Sequence, residues 1–540
     1  MKIKFLATAA MMALGLGIQA QKNNLVSIEW GENAPLIKNH DRVSFIGNPE
    51  MGYVQVSENF KKKEIGLYRF SSGLKYEGSH TEIMIKSKNI MFESIVEFDN
   101  QAFFLFSDFD KANQSEKLYV QEVDLLKGKF LDSPMLLIET NGKVIGTRKA
   151  ISIFASVETD KFKVIAPENN SRILLYYKYE SEEKQDKKNY EKFVFHLYDH
   201  SWKKIWKREV TMPHSEFEMN ILNFKLIGDD VFAFMETMSG KLNPDTKKPE
   251  YDELRVLHIS SEDTEPKEYL LEIDKLYFKD LIFGRGFGDK IMIGGYVQPK
   301  KKSSSSTGYF TAIFNPDTKS LEGVNQYKFS DDLITSFERA SNKRKLEKEI
   351  TKGKDPGISG LITREIVKKN DGGWIMVGEE FFVVVTDVTG NRGYSYRVYD
   401  YYFQNLIVSS VGPEGNEEWT VKVPKNQHFF NGTYGSGISS FVHNDNVYIF
   451  HLDNVKNKNI GDNDVPVEFR NFKEGCLMAV KIDPSGKMDR ISLFDLGDEQ
   501  KVILPTGIEE VAPGILLSSS RKSFKGAPQN TNMPALIYLK

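Results

Sequence analysis

The sequence predicts an all-β chain, a β-propeller of four-stranded antiparallel blades, eight in number with seven as the alternative. Three observations point there. First, a turn followed at once by a continuous apolar run occurs eight times, at intervals of about 50 to 83 residues. The runs are "NPEMGYVQV", "DNQAFFLF", "ENNSRILLYYKY", "GDDVFAFM", "GDKIMIGGYV", "DGGWIMVG", "NDNVYIFHL" and "APGILLSSS". They are apolar on both faces, as strands sandwiched between two sheets must be. Second, a shorter strand precedes the runs and a turn-linked strand pair follows them, as in "TAIFNPDTKSLEGV" and "AVKIDPSGKMDRI". Four antiparallel strands repeated in this way, each sheet burying both faces on its neighbours, are the sign of a propeller. Third, the last unit is one strand short, and the N-terminal region has one to spare.

The chain begins "MKIKFLATAAMMALGLGIQAQKNN". Lys2 and Lys4, an apolar stretch from Phe5 to Ile18 and the small residue Ala20 describe a secretory leader over residues 1–20. The expected mature chain, 21–540, forms one propeller domain, exported to the periplasm or secreted. No cysteine lies near the cleavage site, so no lipoprotein anchor is expected. Cys476 is the one cysteine, which leaves no internal disulfide and makes packing the source of stability. No later stretch is long and apolar enough to enter a membrane.

Composition agrees with this class. Aromatics make up 12% of the 540 residues, with 37 Phe and 23 Tyr, and suit strands better than helices. The formal charge of −3 becomes −5 without the leader, whose only charges are two Lys. Such a balance does not attract nucleic acid or an anionic membrane. The rival fold, two or three β-sandwich domains, lacks a Pro-, Gly- or Ser-rich linker between comparable halves.

The spare strand is "LVSIEW" at 25–30, expected to complete the last blade, whose own strands fall near 507–511, 515–519 and 535–539. Between two blades, "SDDLITSFERASNKRKLEKEI" predicts a helical insertion over 331–352. Ser330 is an N-cap type, Leu333, Phe337 and Ala340 follow helical spacing, and Gly353 supplies the stop. The segment 374–411 predicts a long hairpin around "TGNRG", where Gly390 and Gly393 allow positive φ. Arms of about 15 residues reach roughly 50 Å at 3.3 Å per residue, so the tip must project beyond the disc.

In a propeller the connections from second to third strand and from blade to blade emerge on one face. Insertions at 181–189, 239–252, 298–307, 379–403 and 454–472, together with the helix, all crowd that face. Insertions confined to one face mark a binding face. Candidate contacts there are Tyr394, Tyr396, Arg397, Tyr399 and Tyr401 on the return arm of the hairpin, because exposed Tyr and Arg offer contact area with a polar tip. His451 and Asp453 are placed toward the same face.

The run "GGWIMVGEEFFVVV", the Tyr-rich arm, "EEWTVKVPKNQ" and "NDNVYIFHLDNVKN", over about 370–460, resemble a pattern in uncharacterised secreted β-propeller-like proteins of Bacteroidetes. The leader ending "AQ" fits the same group. The resemblance implies export and lineage and lends nothing to mechanism.

Catalytic signatures are missing. There is no Gly-x-Ser-x-Gly elbow, HExxH helix, P-loop or dinucleotide fingerprint. On a strand, His196 and His200 lie about 13 Å apart, too far for one metal. No metal and no cofactor is expected. The functional expectation is a monomeric, non-enzymatic binding or scaffold propeller that takes a protein or glycan on its loop-rich face. The alternative is a polysaccharide-acting hydrolase or lyase with acidic residues at the central channel.

Overall fold

The computed structural model describes residues 21–540 except 23–24, 36, 38–40, 60, 83–84, 86, 88, 99, 147–160, 167–171, 182–186, 241–250, 274–276, 287, 301–302, 390–394, 462–463, 500 and 525–526. The leader, Gly390, Gly393 and Tyr394 lie outside the described residues.

Antiparallel sheets follow one another along the chain. The first contains Asp41–Asn48, Gly52–Asn59, Glu64–Phe70 and Tyr76–Glu82. The second contains Met91–Phe98, Gln101–Asp110 and Ser115–Asp124, its fourth place shared by Lys129–Phe130 and Met135–Glu139. The third has Lys163–Ile165, Arg172–Lys178, Lys192–Asp199 and Lys204–Thr211, and the fourth Met219–Ile227, Asp230–Thr237, Glu253–Ile259 and Lys267–Leu271. Tyr277–Arg285, Ile291–Gln298, Gly308–Asn315 and Ser320–Lys328 make the fifth. Leu361–Lys368, Trp374–Thr389, Ser395–Val411 and Glu417–Val423 make the sixth. The seventh is Ser439–His443, Asn446–Asn454, Gly475–Ile482 and Met488–Asp495. The eighth is Glu509–Ala512, Ile515–Phe524 and Ala527–Leu539, completed by Val26–Trp30. Every turn-plus-apolar run of the sequence is the second strand of its sheet.

Apolar cores lie between neighbouring sheets, and following them traces a ring. Val54 and Leu67 of the first sheet meet Phe104 and Phe106 of the second. Leu105 and Leu118 meet Ile173 and Leu175 of the third. Phe195 and Leu197 meet Leu226 and Met235 of the fourth, and Phe234 and Val256 meet Phe283 and Ile293 of the fifth. Tyr296 and Tyr309 meet Trp374 and Met376. Val377 and Val408 meet Ile449 and Val480. Phe450 and Leu477 meet Leu516 and Ile537. Leu517 and Leu536 then return to Phe45 and Tyr53 of the first sheet, closing the ring. Each sheet buries both faces, so the second strands are almost wholly apolar, and the fold is a β-propeller.

Closure uses the two ends of the chain. Val26 pairs with Leu539, Ile28 with Ile537 and Trp30 with Ala535, antiparallel. Val26 and Ile28 are buried in the core between the seventh and eighth sheets. The strand both fills the missing place and covers an edge that would otherwise be open.

The insertion before the sixth sheet departs from the single helix that the spacing predicts. It forms two helices, α1 (Asp331–Thr335) and α2 (Ala340–Thr351). Ser330 caps α1, its hydroxyl accepting from the Leu333 N–H at 3.2 Å. The break follows from local competition: the Thr335 hydroxyl donates to Asp331 O and the Ser336 hydroxyl to Leu333 O, and Ser336 is extended. Phe337 then takes a left-handed φ of 58° and buries its ring. Among the described residues no helix is long and apolar enough to cross a membrane. Cys476 is buried, and burial pushes its thiol up to about 12.

Candidate binding site

The long hairpin of the sixth sheet sets the geometry. Its outgoing arm, Trp374–Thr389, is buried as far as Glu380 and, apart from the half-buried Val388, exposed from Phe382 outward. Its return arm, Ser395–Val411, bulges opposite Glu379–Phe381. The bulge re-aims Asn405, whose amide donates to Glu380 at 3.3 Å and whose carbonyl accepts from Lys425 N at 3.3 Å.

Glu379 and Glu380 are consecutive strand residues and so point to opposite faces. Each holds a buried ion pair. Glu379 accepts from Lys425 Nζ at 2.5 Å and from Arg364 Nε at 2.6 Å, and the Glu379 and Lys425 side chains are fully buried. Glu380 lies 3.3 Å from Lys422 Nζ, which also reaches Glu338 of the helical insertion at 3.5 Å. Burial pulls Lys425 below the ordinary ammonium range, with Glu379 pushing back. Burial likewise raises Glu380 above the carboxylate range, opposed by Lys422. Such pairs contribute little net stability but fix orientation. Here they tie the hairpin base to the links that flank the sixth sheet.

Above this floor lies a pocket of about 420 Å³. Four connections wall it: Phe337–Arg339 with Asn342, the hairpin with Phe382, Tyr402 and Gln404, the link Lys425–Asn426, and Val465, Pro466 and Glu468 of the seventh sheet. All four belong to the loop-rich face. Three rings stack across three strands: Phe382 on Tyr402 (4.8 Å, 14°) and Tyr402 on His428 (4.5 Å, 3°). His428 is held between Asp400 (2.6 Å) and Glu468 (2.9 Å). Burial opposes ionisation of Glu468, yet Arg470 and His428 hold it below the ordinary carboxylate range. An apolar wall, amides and fixed charges in one concavity are the chemistry of a ligand site.

The residues singled out from sequence fall in three places. Tyr396, Tyr399 and Arg397 are exposed on the outer hairpin, and Arg397 pairs with Asp387 at 3.1 Å. Tyr399 stacks with Tyr401, both on the strand face opposite Tyr402, so neither lines the pocket. His451 and Asp453, placed toward the loop-rich face from sequence, are fully buried instead. They are strand residues between two packed sheets, and 3.7 Å separates His451 Nε2 from Asp453 Oδ2, beyond hydrogen-bond reach. Burial holds His451 below the ordinary imidazole range. Asp453 instead anchors the 454–472 loop through Asn457 (2.7 Å) and pairs with Arg490 (2.8 Å). Phe382, Tyr402 and Lys425 are the pocket residues that sequence reasoning did not assemble, and His428 stacks on Tyr402 beside them. The consecutive acids Glu379 and Glu380, facing Lys422 and Lys425 in "EEWTVKVPK", were the available signal.

Among the described residues no group of three or more His, Cys, Asp or Glu is placed to hold a metal ion. No family model and no curated protein matches the chain. Similar solved structures include the WD40 domain of SCAP from fission yeast, at 9% identity and a TM-score of 0.39, covering 96% of this chain and 97% of that one. A polysaccharide lyase, the PL25 ulvan lyase bound to a GlcA–Rha3S unit, matches at 9% identity and 0.36, covering 81% and 90%. Endo-arabinase from Bacteroides thetaiotaomicron matches at 11% and 0.27, covering 62% and 93%. Likenesses this distant carry no argument about ligand or activity.

Proposed function

We propose that this protein is an extracytoplasmic, non-enzymatic binding or scaffold propeller that takes a protein or glycan on its loop-rich face, in the pocket at the hairpin base. One observation carries the reading: connections from the fifth, sixth and seventh sheets converge on a single concavity with an aromatic wall and the Glu338–Lys422–Glu380 ion pairs beside it. The aromatic wall suits the apolar face of a sugar ring or a side chain, and Gln404, Asn426 and Arg339 suit its polar groups.

The test is retention on immobilised polysaccharides and envelope proteins, comparing the protein with Phe382→Ser and Tyr402→Ala. Each variant is expected to bind about tenfold more weakly, the loss of one good contact. Tyr396→Ser with Tyr399→Ser reports whether the outer hairpin takes part. Equal retention of all the variants counts against the pocket.

A second reading, a polysaccharide-acting hydrolase or lyase, is favoured by Glu97 and Glu509. Both lie on first strands, at Met91–Phe98 and Glu509–Ala512, close enough for Glu509 to act on Glu97. Glu97 is exposed on its strand, yet desolvation pushes it up to about 7, Glu509 adding to the push and the Gly47 N–H opposing. A group titrating there is suited to general acid–base work. Release of reducing ends or unsaturated sugars, abolished by Glu97→Gln, would favour this reading over the first.

A further inference from the structure

The two edges of the long hairpin are treated differently. The return arm is covered: Asp400–Phe403 pairs with Gln427–Phe430, and Gln427 bridges in turn to Phe469. The outgoing arm is covered only as far as Phe381, whose N–H donates to Gly360 O at 3.0 Å. From Phe382 to Thr389 nothing among the described residues pairs with its outer edge.

That edge has a defined pattern. Backbone groups alternate sides along a strand, so Val383, Val385, Asp387 and Thr389 point their N–H and C=O the same way as Phe381, outward. An independent line agrees. Val385 pairs with Tyr399, and the backbone of Tyr399 bonds to Asn431 on the far side of the hairpin. The side chains are apolar as well, with Phe382 and Val383–Val385 between 38% and 50% exposed. An exposed apolar strand with a row of unused donors and acceptors is a template for another strand, and native proteins ordinarily blunt such edges.

We propose that the occupant is the same edge of a second copy, paired antiparallel about a two-fold axis at Thr386. In this register Thr386 faces Thr386 of the second copy, Val384 faces Val388, Val385 faces Asp387 and Val383 faces Thr389. The outward-pointing residues then oppose one another, giving about eight interchain hydrogen bonds. No charge opposes a charge, and Thr–Thr and Val–Val cross-strand pairs are favourable. The register stops short of Phe381, where Gly360 already occupies the edge. An isologous contact of this kind closes as a dimer. It departs from the monomer expected from sequence and stands apart from the pocket reading, since it needs no ligand.

Sedimentation velocity of the purified protein over a concentration series tests it. The protein is expected to dimerise. Thr386→Arg and Thr386→Glu each set like charges across the axis and should weaken association about tenfold or more, and mixing the two variants should restore it. Val385→Pro removes an outward N–H that the return arm does not use, so it should also abolish the dimer while far-UV circular dichroism stays unchanged. A monomer at every concentration, open-ended aggregation, variants that dimerise like the parent, or a mixture that stays monomeric would each overturn the proposal.

Discussion

Lys425 Nζ lies 2.5 Å from the Glu379 carboxylate, and neither side chain touches solvent. Removing one partner strands the other. Lys425→Met is expected to cost about 3 kcal/mol in urea unfolding, towards the low end for a broken buried pair because Arg364 still reaches Glu379. Adding Glu379→Leu should return part of the loss. A double variant as unstable as the sum of the singles would show that the pair is not coupled.

The closing strand buries Val26 and Ile28 almost completely. Deleting residues 21–30 forfeits roughly 3–6 kcal/mol of apolar burial and opens the edge of Ala527–Leu539. The thermal midpoint should fall for the whole chain in one transition. An unchanged midpoint would contradict closure by this strand.

Gly378 sits where the fifth and sixth sheets pack most tightly. A Cβ there would lie 1.9 Å from the hydroxyl of Tyr296, a fully buried ring with no room to move. Gly378→Ala should therefore destabilise by about 1–3 kcal/mol through overpacking. Adding Tyr296→Phe removes the oxygen but leaves Cζ at 2.4 Å and Cε2 at 2.6 Å from that Cβ, so it should recover only a small part of the loss.

Glu93, Glu116 and Lys161 form a buried triad between the second and third sheets, with Lys161 at 2.9 Å from Glu116 and 3.7 Å from Glu93. Burial pushes Glu93 up to about 7, more than Lys161 and the Ser107 hydroxyl pull it down. A carboxyl whose folded value is raised binds more protons folded than unfolded. Its contribution is complete below about 4.5 and is lost as pH rises to about 7. Glu93→Gln should flatten stability across that window, with a difference from the parent on the order of 3 kcal/mol between its ends. Parallel profiles for parent and variant would refute the assignment.

Much of the architecture was legible because it is written in local patterns. A strand buried on both faces must be continuously apolar, so each second strand announced itself. Turn chemistry did the same for the hairpins: at "NPDTK" 315–319, Asn315 Oδ1 accepts from Asp317 N at 2.9 Å between the third and fourth strands of the fifth sheet. The arms of the long hairpin, 16 and 17 residues, follow from the same reading. The helical insertion shows its limit. Ser330 and Gly353 mark its ends, but the break at Ser336–Arg339 depends on side-chain bonds and on a pocket for Phe337 that spacing does not encode.

The candidate site divides the same way. Sequence found the elaborated face and the Tyr-rich arm, because insertion length and composition are one-dimensional quantities. It could not choose between the two faces of that arm, since a one-residue phase shift exchanges Tyr399 and Tyr401 for Tyr402. Nor could it tell that His451 and Asp453 lie between packed sheets. Only the packing of the sixth sheet against its neighbours brings Glu338, Lys425 and Glu468, spread over more than a hundred residues, around one concavity. By itself the sequence determined the strands, the turns and the strand that shuts the ring, each stabilised by neighbours in the chain or by simple burial. Tertiary structure decided which charges are buried together, which aromatic rings stack and which strand edge stays uncovered, because those depend on how separate sheets meet.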